Sequence, residues 1–391
     1  MNKEKMPFQV WILTLAAFAI GTAEFIIAGI LPQVATSLSI TEGQAGYLIS
    51  AYALAIVIGG PILTIYLARF NKKMVLIGLM ALFIFGNLMS AFSPSYEILF
   101  ISRMISGLVQ GPFYGIGAVV ATNLVSEKMA GRAVGQMFAG LTLANVLGVP
   151  GGTWIGVEFG WHTTFIVVAA FGVVALFAIL AALHSTVHSE AKNVNAQLAA
   201  FKNPKLLISL AITAVVWTGF MTLYGYIAPI AMHVAGYGES AVTWILVIVG
   251  LGLILGNTLG GHSSDKDLNK SSLFWAIAMI VSLVLVGVFT DNKILFVATS
   301  FIFGIASFAN VPSMQLRVMN NGGDGQELAA TANISAFNVA NAFGGFLGGM
   351  VLDSQLGAVM IPYVGVIVPI IGVLLILKAN GSEKQSQPVE A

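Results

Sequence analysis

The chain has no cysteine among its 391 residues. That excludes disulfides, thiolate metal sites and cysteine nucleophiles. Charge is nearly as scarce: Asp, Glu, Lys and Arg together make up 8% of the chain, where a soluble domain carries about 25%. The net charge is +1 and no basic stripe is present, so nucleic acid is excluded as a partner. The five histidines do not cluster as ligands, so no metal is expected. The chain contains no Walker A pattern, no H-E-x-x-H and no G-x-S-x-G. Catalytic residues, an organic cofactor and an enzymatic activity are therefore not expected.

What the chain has instead is apolar length. Hydrophobic residues make up 58% of it, and the mean hydropathy is +0.92. Lipid is the solvent that suits such a composition, and the 43 glycines fit close helix packing in lipid. Met1 to Pro7 carries Lys3 and Lys5 ahead of a long apolar run. This start resembles a signal peptide but lacks a small-residue cleavage site, so the run is expected to stay as a first helix. A bilayer core about 30 Å thick needs roughly 20 apolar residues per helix. Runs of that kind lie near 8–31, 45–67, 74–92, 97–124, 133–157, 163–183, 206–232, 241–260, 272–289, 294–318, 328–352 and 358–377. The expected fold is an all-α membrane protein, with twelve transmembrane helices in two pseudo-symmetric six-helix bundles. The expected domains are a bundle over 1–183, a polar cytoplasmic linker over 184–204, a second bundle over 205–378 and a tail over 379–391.

Lysine and arginine set the orientation. With a cytoplasmic N-terminus, the inner segments hold Lys3 and Lys5; Arg69, Lys72 and Lys73; Lys128 and Arg132; Lys192, Lys202 and Lys205; Lys266 and Lys270; Arg317; and Lys378 and Lys384. Of all 17 basic residues, only Lys293 falls outside and only Arg103 lies within a span. A wrong helix count would scramble this segregation. Both termini are thus expected in the cytoplasm, in a multi-pass, bacterial-type inner membrane.

The halves form a weak internal repeat. One offset puts Pro32 on Pro229, Gly59 on Gly256, Arg69 on Lys266, Lys73 on Lys270 and Gly107 on Gly304. One residue less puts Ala144-Asn145 on Ala340-Asn341, Gly148 on Gly344 and Gly152 on Gly348.

Glu24 lies inside the first span, and an intramembrane carboxylate is a functional-site hypothesis by default. It is a candidate to take and release a proton; the plainer alternative is a carboxylate that reaches water near a helix end. Arg103 lies in the fourth span and keeps its charge, so it needs a partner or water. Counting at 1.5 Å per residue, both residues lie roughly 10 Å below the outer surface. That depth allows a Glu24–Arg103 pair, or alternatively a static arginine holding backbone carbonyls. In the repeat, Glu24 maps to Met221 and Arg103 to Ser300. Proton handling is accordingly expected in the first half, with a neutral wall in the second.

Arg103, Gly107, Gln110 and Tyr114 share one helix face by their spacing. Gln110 and Tyr114 are candidate substrate-cavity residues, or else helix-to-helix glue. Trp217, Met221 and Tyr224 form a stripe on the seventh span; Phe303, Ser307, Asn310 and Met314 form one on the tenth. Such stripes serve packing at least as often as binding. Asn145, Asn338 and Asn341 complete the cavity candidates. Gly148, Pro150, Gly151 and Gly152 mark a bend or close contact in the fifth span. Arg69, Lys72 and Lys73, with Asp265 and Lys266 in the second copy, set topology or bond helix C-termini as a latch.

These residues resemble the major facilitator superfamily, specifically its drug:proton antiporter family 1, over nearly the whole chain. Gly59 to Lys73 and Gly256 to Lys270 resemble the family's basic loop motif. Arg103 to Gly111 resembles its helix-four arginine motif. Gly140 to Gly152 resembles the helix-five antiporter motif that marks exporters. Thr22-Ala23-Glu24-Phe25, Ala144-Asn145 and Glu158-Phe159-Gly160-Trp161 resemble the sugar and arabinose-polymer efflux branch. Ala68 stands where the first loop's usual acid would be, whereas the second copy keeps Asp265. The resemblance implies alternating access, with helices 1, 4, 7 and 10 lining a cavity.

The sequence therefore leads to the expectation of a monomer in the lipid bilayer that exports a small molecule such as a drug, sugar or nucleobase, with protons as the coupling ion. The alternatives are a facilitator or importer on the same fold without proton coupling, or a non-transporting membrane sensor.

Overall fold

The computed structural model describes residues 6–67, 70–126, 130–183, 199–323 and 326–385. These form helices joined by short turns, and twelve of the helices are long and apolar enough to cross a membrane. Lipid offers no hydrogen bonds, so a spanning backbone must satisfy its own N–H and C=O groups within the helix. The chain divides into two compact units, Met1–Glu190 and Ala191–Ala391.

In the first unit, the expected span 8–31 is broken. Helix α1 covers Phe8–Phe25 and α2 covers Ile27–Leu38. Pro32 lies inside α2; its ring displaces the carbonyl one turn earlier and it donates no N–H. The break falls just before that turn, where the Gly29 N–H takes the Ile26 carbonyl at 3.0 Å. Helix α3 is Glu42–Leu67, α4 is Lys72–Ala91 and α5 is Tyr96–Asn123. Asn71 starts α4 by accepting from the N–H groups of Lys73 and Met74.

The fifth span consists of α6 (Ala130–Leu143), a π-helical segment (Ala144–Gly148) and α7 (Val149–Phe159). Pro150 has no N–H for the Val146 carbonyl, and the ladder absorbs the gap by widening: Val149 N–H bonds Ala144 O, five residues back. The bend expected from Pro150 therefore takes the form of a π-bulge, a feature frequent at functional sites. Gly160, at φ +86°, makes the tight turn into α8 (Trp161–Ala182).

The second unit repeats this plan. Helix α9 is Pro204–Tyr224, started by Asn203, which accepts from Lys205 N–H. A short turn, Ile227–Pro229, and a π-helical segment, Ile230–Val234, extend it. Then come α10 (Glu239–Lys266), α11 (Leu268–Val288), α12 (Lys293–Phe308), α13 (Asn310–Asn321), α14 (Gln326–Leu352) and α15 (Ile361–Gln385).

Packing follows one pattern in both units. In the first, α1 packs on α6 and α8, α3 on α5, and α4 on α5 and α8. In the second, α9 packs on α14 and α15, α10 on α12, and α11 on α12 and α15. Counted as spans, the two sets of pairs are the same. Helices in lipid gain little from burying apolar surface, so close approach has to hold them together. A Cβ built on Gly148 would stand 2.1 Å from Thr22 Oγ1, and one on Gly344 would stand 2.8 Å from the Thr218 carbonyl. Gly148 maps to Gly344, and each glycine stands against the first span of its own bundle, so the repeat read from the sequence is also a repeated contact.

Candidate functional site

The break after α1 interrupts the hydrogen-bond ladder at the C-terminal end of that helix, just past the point where the Thr22 carbonyl takes the Ile26 N–H at 3.0 Å. The fourth span supplies donors there. Arg103, fully buried on α5, donates Nη1 to the Ala23 carbonyl at 2.6 Å and Nη2 to the Glu24 carbonyl at 3.2 Å. A fixed positive charge at a helix C-terminus also suits the local dipole. Of the two roles open for Arg103 in the sequence, these bonds are those of an arginine holding backbone carbonyls. Its guanidinium lies over the Tyr52 ring of α3, 4.3 Å from the centroid, a cation–π contact that tethers the plane.

The Glu24 carboxylate, 6% exposed, accepts instead from Gln110: Nε2 donates to Oε2 at 2.7 Å. Gln110 stands two turns beyond Arg103 on the same face of α5. One helix thus holds the Glu24 backbone with a cation and its side chain with a neutral amide. Gln110 Oε1 is buried with no hydrogen-bond partner among the described residues. Tyr114, one turn further, donates its hydroxyl to the Ala17 carbonyl at 3.1 Å and stacks on Phe138 at 5.0 Å. It ties α5 to α1 and α6.

Asn145 lies within the π-bulge of the fifth span. Its Nδ2 donates to the Leu141 carbonyl at 3.1 Å, and its buried Oδ1 has no partner among the described residues. Gly152 faces Ile26, beside the α1 break, and a Cβ on it would reach Ile26 Cδ1 at 2.5 Å; Gly151 has open space around it. The helix-five motif is therefore the surface against which the first span bends.

The second unit replaces these charges with rings and amides. Met221, at the Glu24 position, is buried on α9, against the backbone of Gly344. Ser300, at the Arg103 position, is buried with its hydroxyl unpartnered among the described residues. Trp217 donates Nε1 to Asn341 Oδ1 at 2.9 Å. Its ring centroid lies 4.5 Å from Phe220, 5.4 Å from Phe308 and 5.0 Å from Phe337. Tyr224 stacks on Phe220 at 4.9 Å. Asn310 donates to the carbonyls of Ala306 and Trp275 at 2.8 and 3.0 Å, which fastens the break between α12 and α13 onto α11. Asn338 donates to the Ile334 carbonyl and keeps a buried Oδ1 with no partner among the described residues.

Of the loop residues, Lys73 donates Nζ to the Leu180 carbonyl at 2.8 Å, in the last turn of α8. Lys72 begins α4 and Lys266 ends α10. Arg69 and the Asp265 side chain lie outside the described residues.

Sequence reasoning missed Tyr52, the phenylalanine cluster around Trp217, and a part-buried amide pair in which Asn333 Nδ2 donates to Gln315 Oε1 at 2.7 Å. The signal for Tyr52 was its place as a lone aromatic in the small-residue run Ala51-Tyr52-Ala53. Nothing in the spacing marked Asn333, which shares no short-range pattern with Gln315.

The sequence pattern of the Major Facilitator Superfamily matches residues 13–349. The chain is 35% identical to the inner membrane transport protein YdhP of Escherichia coli K12 over 385 residues, covering 98% of each chain. It is 28% identical to a chloramphenicol resistance protein of Streptomyces lividans over 356 residues, covering 90% of this chain and 91% of that one. Among solved structures, a bacterial homologue of the human lysosomal transporter Spinster superposes with a TM-score of 0.80 at 15% identity, covering 100% of both chains. At that identity the match speaks for the fold.

Proposed function

The chain belongs to the major facilitator superfamily, and on that premise we propose that it is a proton-coupled exporter of a small organic molecule working by alternating access. That it is a multi-pass membrane transporter of small molecules, and not an enzyme, follows from its family. Proton coupling and outward direction are the added claims. The observation that supports the coupling is the Glu24 carboxyl, buried at the α1 break with Gln110 as donor and Arg103 on its own carbonyl. A carboxyl held this way can exchange a proton for a hydrogen bond without leaving its site. Arg103 positions it by fixing the backbone on which it rides.

The direction rests on the resemblance of Gly140 to Gly152 to the exporter motif, and on the resistance function in the name of the Streptomyces relative. The segregation of lysine and arginine supports cytoplasmic termini in a bacterial-type inner membrane. The substrate class is a drug, sugar or nucleobase, and a monomer is the working unit.

The test begins with a thermal-shift screen of sugars, nucleobases and hydrophobic cations. The binding compound is then followed in proteoliposomes with an imposed pH gradient. Wild type should accumulate it against its own gradient. Glu24→Gln should fall to the level of protein-free vesicles under the pH gradient while keeping substrate exchange at equal pH. Full gradient-driven accumulation by Glu24→Gln removes the coupling role. Wild-type flux without any pH dependence favours a facilitator.

A further inference from the structure

The side-chain amide of Gln110 has one end in use and one idle. Nε2 donates to Glu24 Oε2 at 2.7 Å, and Oε1 is buried with no hydrogen-bond partner among the described residues. Gln110 is 2% exposed, so an idle carbonyl there carries the cost of a lost hydrogen bond. An ionised carboxylate only accepts, and here an N–H meets it. A protonated carboxyl carries an O–H donor of its own, and an N–H facing that hydrogen is repelled. One amide can serve both states. A half-turn about χ3 exchanges Nε2 for Oε1, and that torsion is broad and roughly two-fold.

The backbone around the amide is closely packed, which leaves such a change to the side chain. A Cβ on Gly107 would overlap the Tyr52 carbonyl, and one on Gly111 would stand 2.9 Å from Gly60 Cα, so α5 lies directly against α3. Arg103 fixes the Glu24 backbone from the same face of α5. The amide also accompanies the acid. At the repeat offset that puts Gly107 on Gly304, Glu24 falls on Met221 and Gln110 on Ser307. The bundle without the carboxyl is thus the bundle without the amide.

The charged and titratable groups that act on the carboxyl are Arg103 and Tyr114 of α5 and Tyr52 of α3. Helix α2 and the π-helical segment carry no titratable side chain. On the other helices packed against α1, such residues occur only in terminal turns: Lys72 and Lys73 of α4, Arg132 of α6, Glu158 of α7 and His162 of α8.

We propose that Gln110 is a positioning residue that answers the protonation state of Glu24, a role that rests on Glu24 being the group that couples transport to protons. With the carboxylate, the amide donates Nε2. When Oε2 takes a proton from water, the amide turns and Oε1 accepts the new O–H. One N–H···O bond is exchanged for one O–H···O bond, and the carboxyl keeps Gln110 as a partner in both states.

Infrared difference spectroscopy tests this on the purified full-length chain in lipid bilayers, stepped from alkaline to acid pH. Glutamine carries a heavy-isotope label at its side-chain amide carbonyl, which separates its band from the backbone. Wild type should show two changes with one pH midpoint: the gain of a protonated carboxyl band and a shift of a labelled amide band. Glu24→Gln should lose both. Either apolar variant, Gln110→Met or Gln110→Leu, should lose the labelled shift. A Glu24-dependent carboxyl band without a labelled shift, or a labelled shift that persists in the Gln110 variants, overturns the amide reversal and leaves Glu24 as the proton site. The lack of any Glu24-dependent carboxyl band overturns both.

Discussion

The two bundles pack their six spans in the same pairs, yet they fill equivalent buried positions with different chemistry. Glu24 and Arg103 in the first become Met221 and Ser300 in the second. In the first bundle, Arg103 donates to two carbonyls at the break in the helix that carries Glu24. In the second, the aromatic cluster around Trp217 and Phe220 fills the corresponding space with rings. The same helix plan thus tolerates either a charged polar centre or a neutral aromatic one, and the choice is made by a few side chains.

Substitution at the matched pair Arg103 and Ser300 should break this comparison most sharply. Arg103→Met leaves the Ala23 and Glu24 carbonyls buried without their donors, at about 1–3 kcal/mol each. Ser300→Ala removes a hydroxyl that has no partner among the described residues, so its effect should stay within about 1 kcal/mol. Unfolding in mixed micelles measures both. Equal losses would mean that the arginine is not holding the break. Next in size is the matched pair of glycines. Overpacking typically costs about 1–3 kcal/mol, and Gly148→Ala and Gly344→Ala should both fall in that range. Gly115→Ala, which meets nothing within 4 Å, should be neutral or gain up to about 1 kcal/mol in helix propensity. A Gly148→Ala chain as stable as Gly115→Ala would deny the close approach of the first and fifth spans.

The Glu24 and Trp217 hydrogen bonds sharpen the comparison further. Gln110→Met removes an amide from a carboxylate, and hydrogen bonds to charged groups contribute about 1.5–3 kcal/mol. Trp217→Phe removes a neutral bond to Asn341 while keeping a ring; neutral bonds between membrane helices average about 0.6 kcal/mol. The first loss should exceed the second when both variants are unfolded in the same micelles at neutral pH. The reverse order would mean that the charged centre is no more demanding than the aromatic one.

How far the sequence reached depended on the range of the interaction. The spans were legible because length and apolarity are local properties, and the repeat because prolines, glycines and asparagines recur at one offset. Glu24 and Arg103 stood out because charge in an apolar run is visible without any fold. Their partners were not legible. Arg103 bonds backbone carbonyls, which every residue has, so no sequence signal distinguishes Ala23 and Glu24 as acceptors. For Gln110 the spacing leaves both a cavity role and a helix-to-helix role open, because it gives the face of a helix but not what the neighbouring helix places opposite it. The break at Ile26 follows from Pro32, but its position depends on which earlier carbonyl finds another donor. Pro150 announced a bend in the fifth span, and the conversion of that bend into a π-bulge over Ala144–Gly148 depended on where the ladder could widen.

The smallest expected effect is at the paired helix starts. Asn71 caps α4 and Asp267 caps α11, and they match at the offset that pairs Asn145 with Asn341. Each accepts from a backbone N–H: Asn71 from Lys73 and Met74, and Asp267 from Lys270, both leading bonds being 3.0 Å. Asp267 also meets the Lys270 ammonium at 3.0 Å, an exposed pair in which little stability is expected. The Lys270 N–H, followed by the Lys270 side chain, holds the Asp267 carboxyl below its ordinary value of 3.8. Because the native value is the lower one, the contribution of this group to stability is complete above 3.8 and is lost as pH falls through the lowered value. Asn71 carries no such dependence. Asn71→Ala should therefore lower stability by about 1 kcal/mol at every pH. Asp267→Asn should keep the cap at neutral pH and flatten the acid end of the unfolding profile. If Asp267→Asn and wild type lose stability in parallel as pH falls below 3.8, the second bundle's cap is as indifferent to protons as the first bundle's.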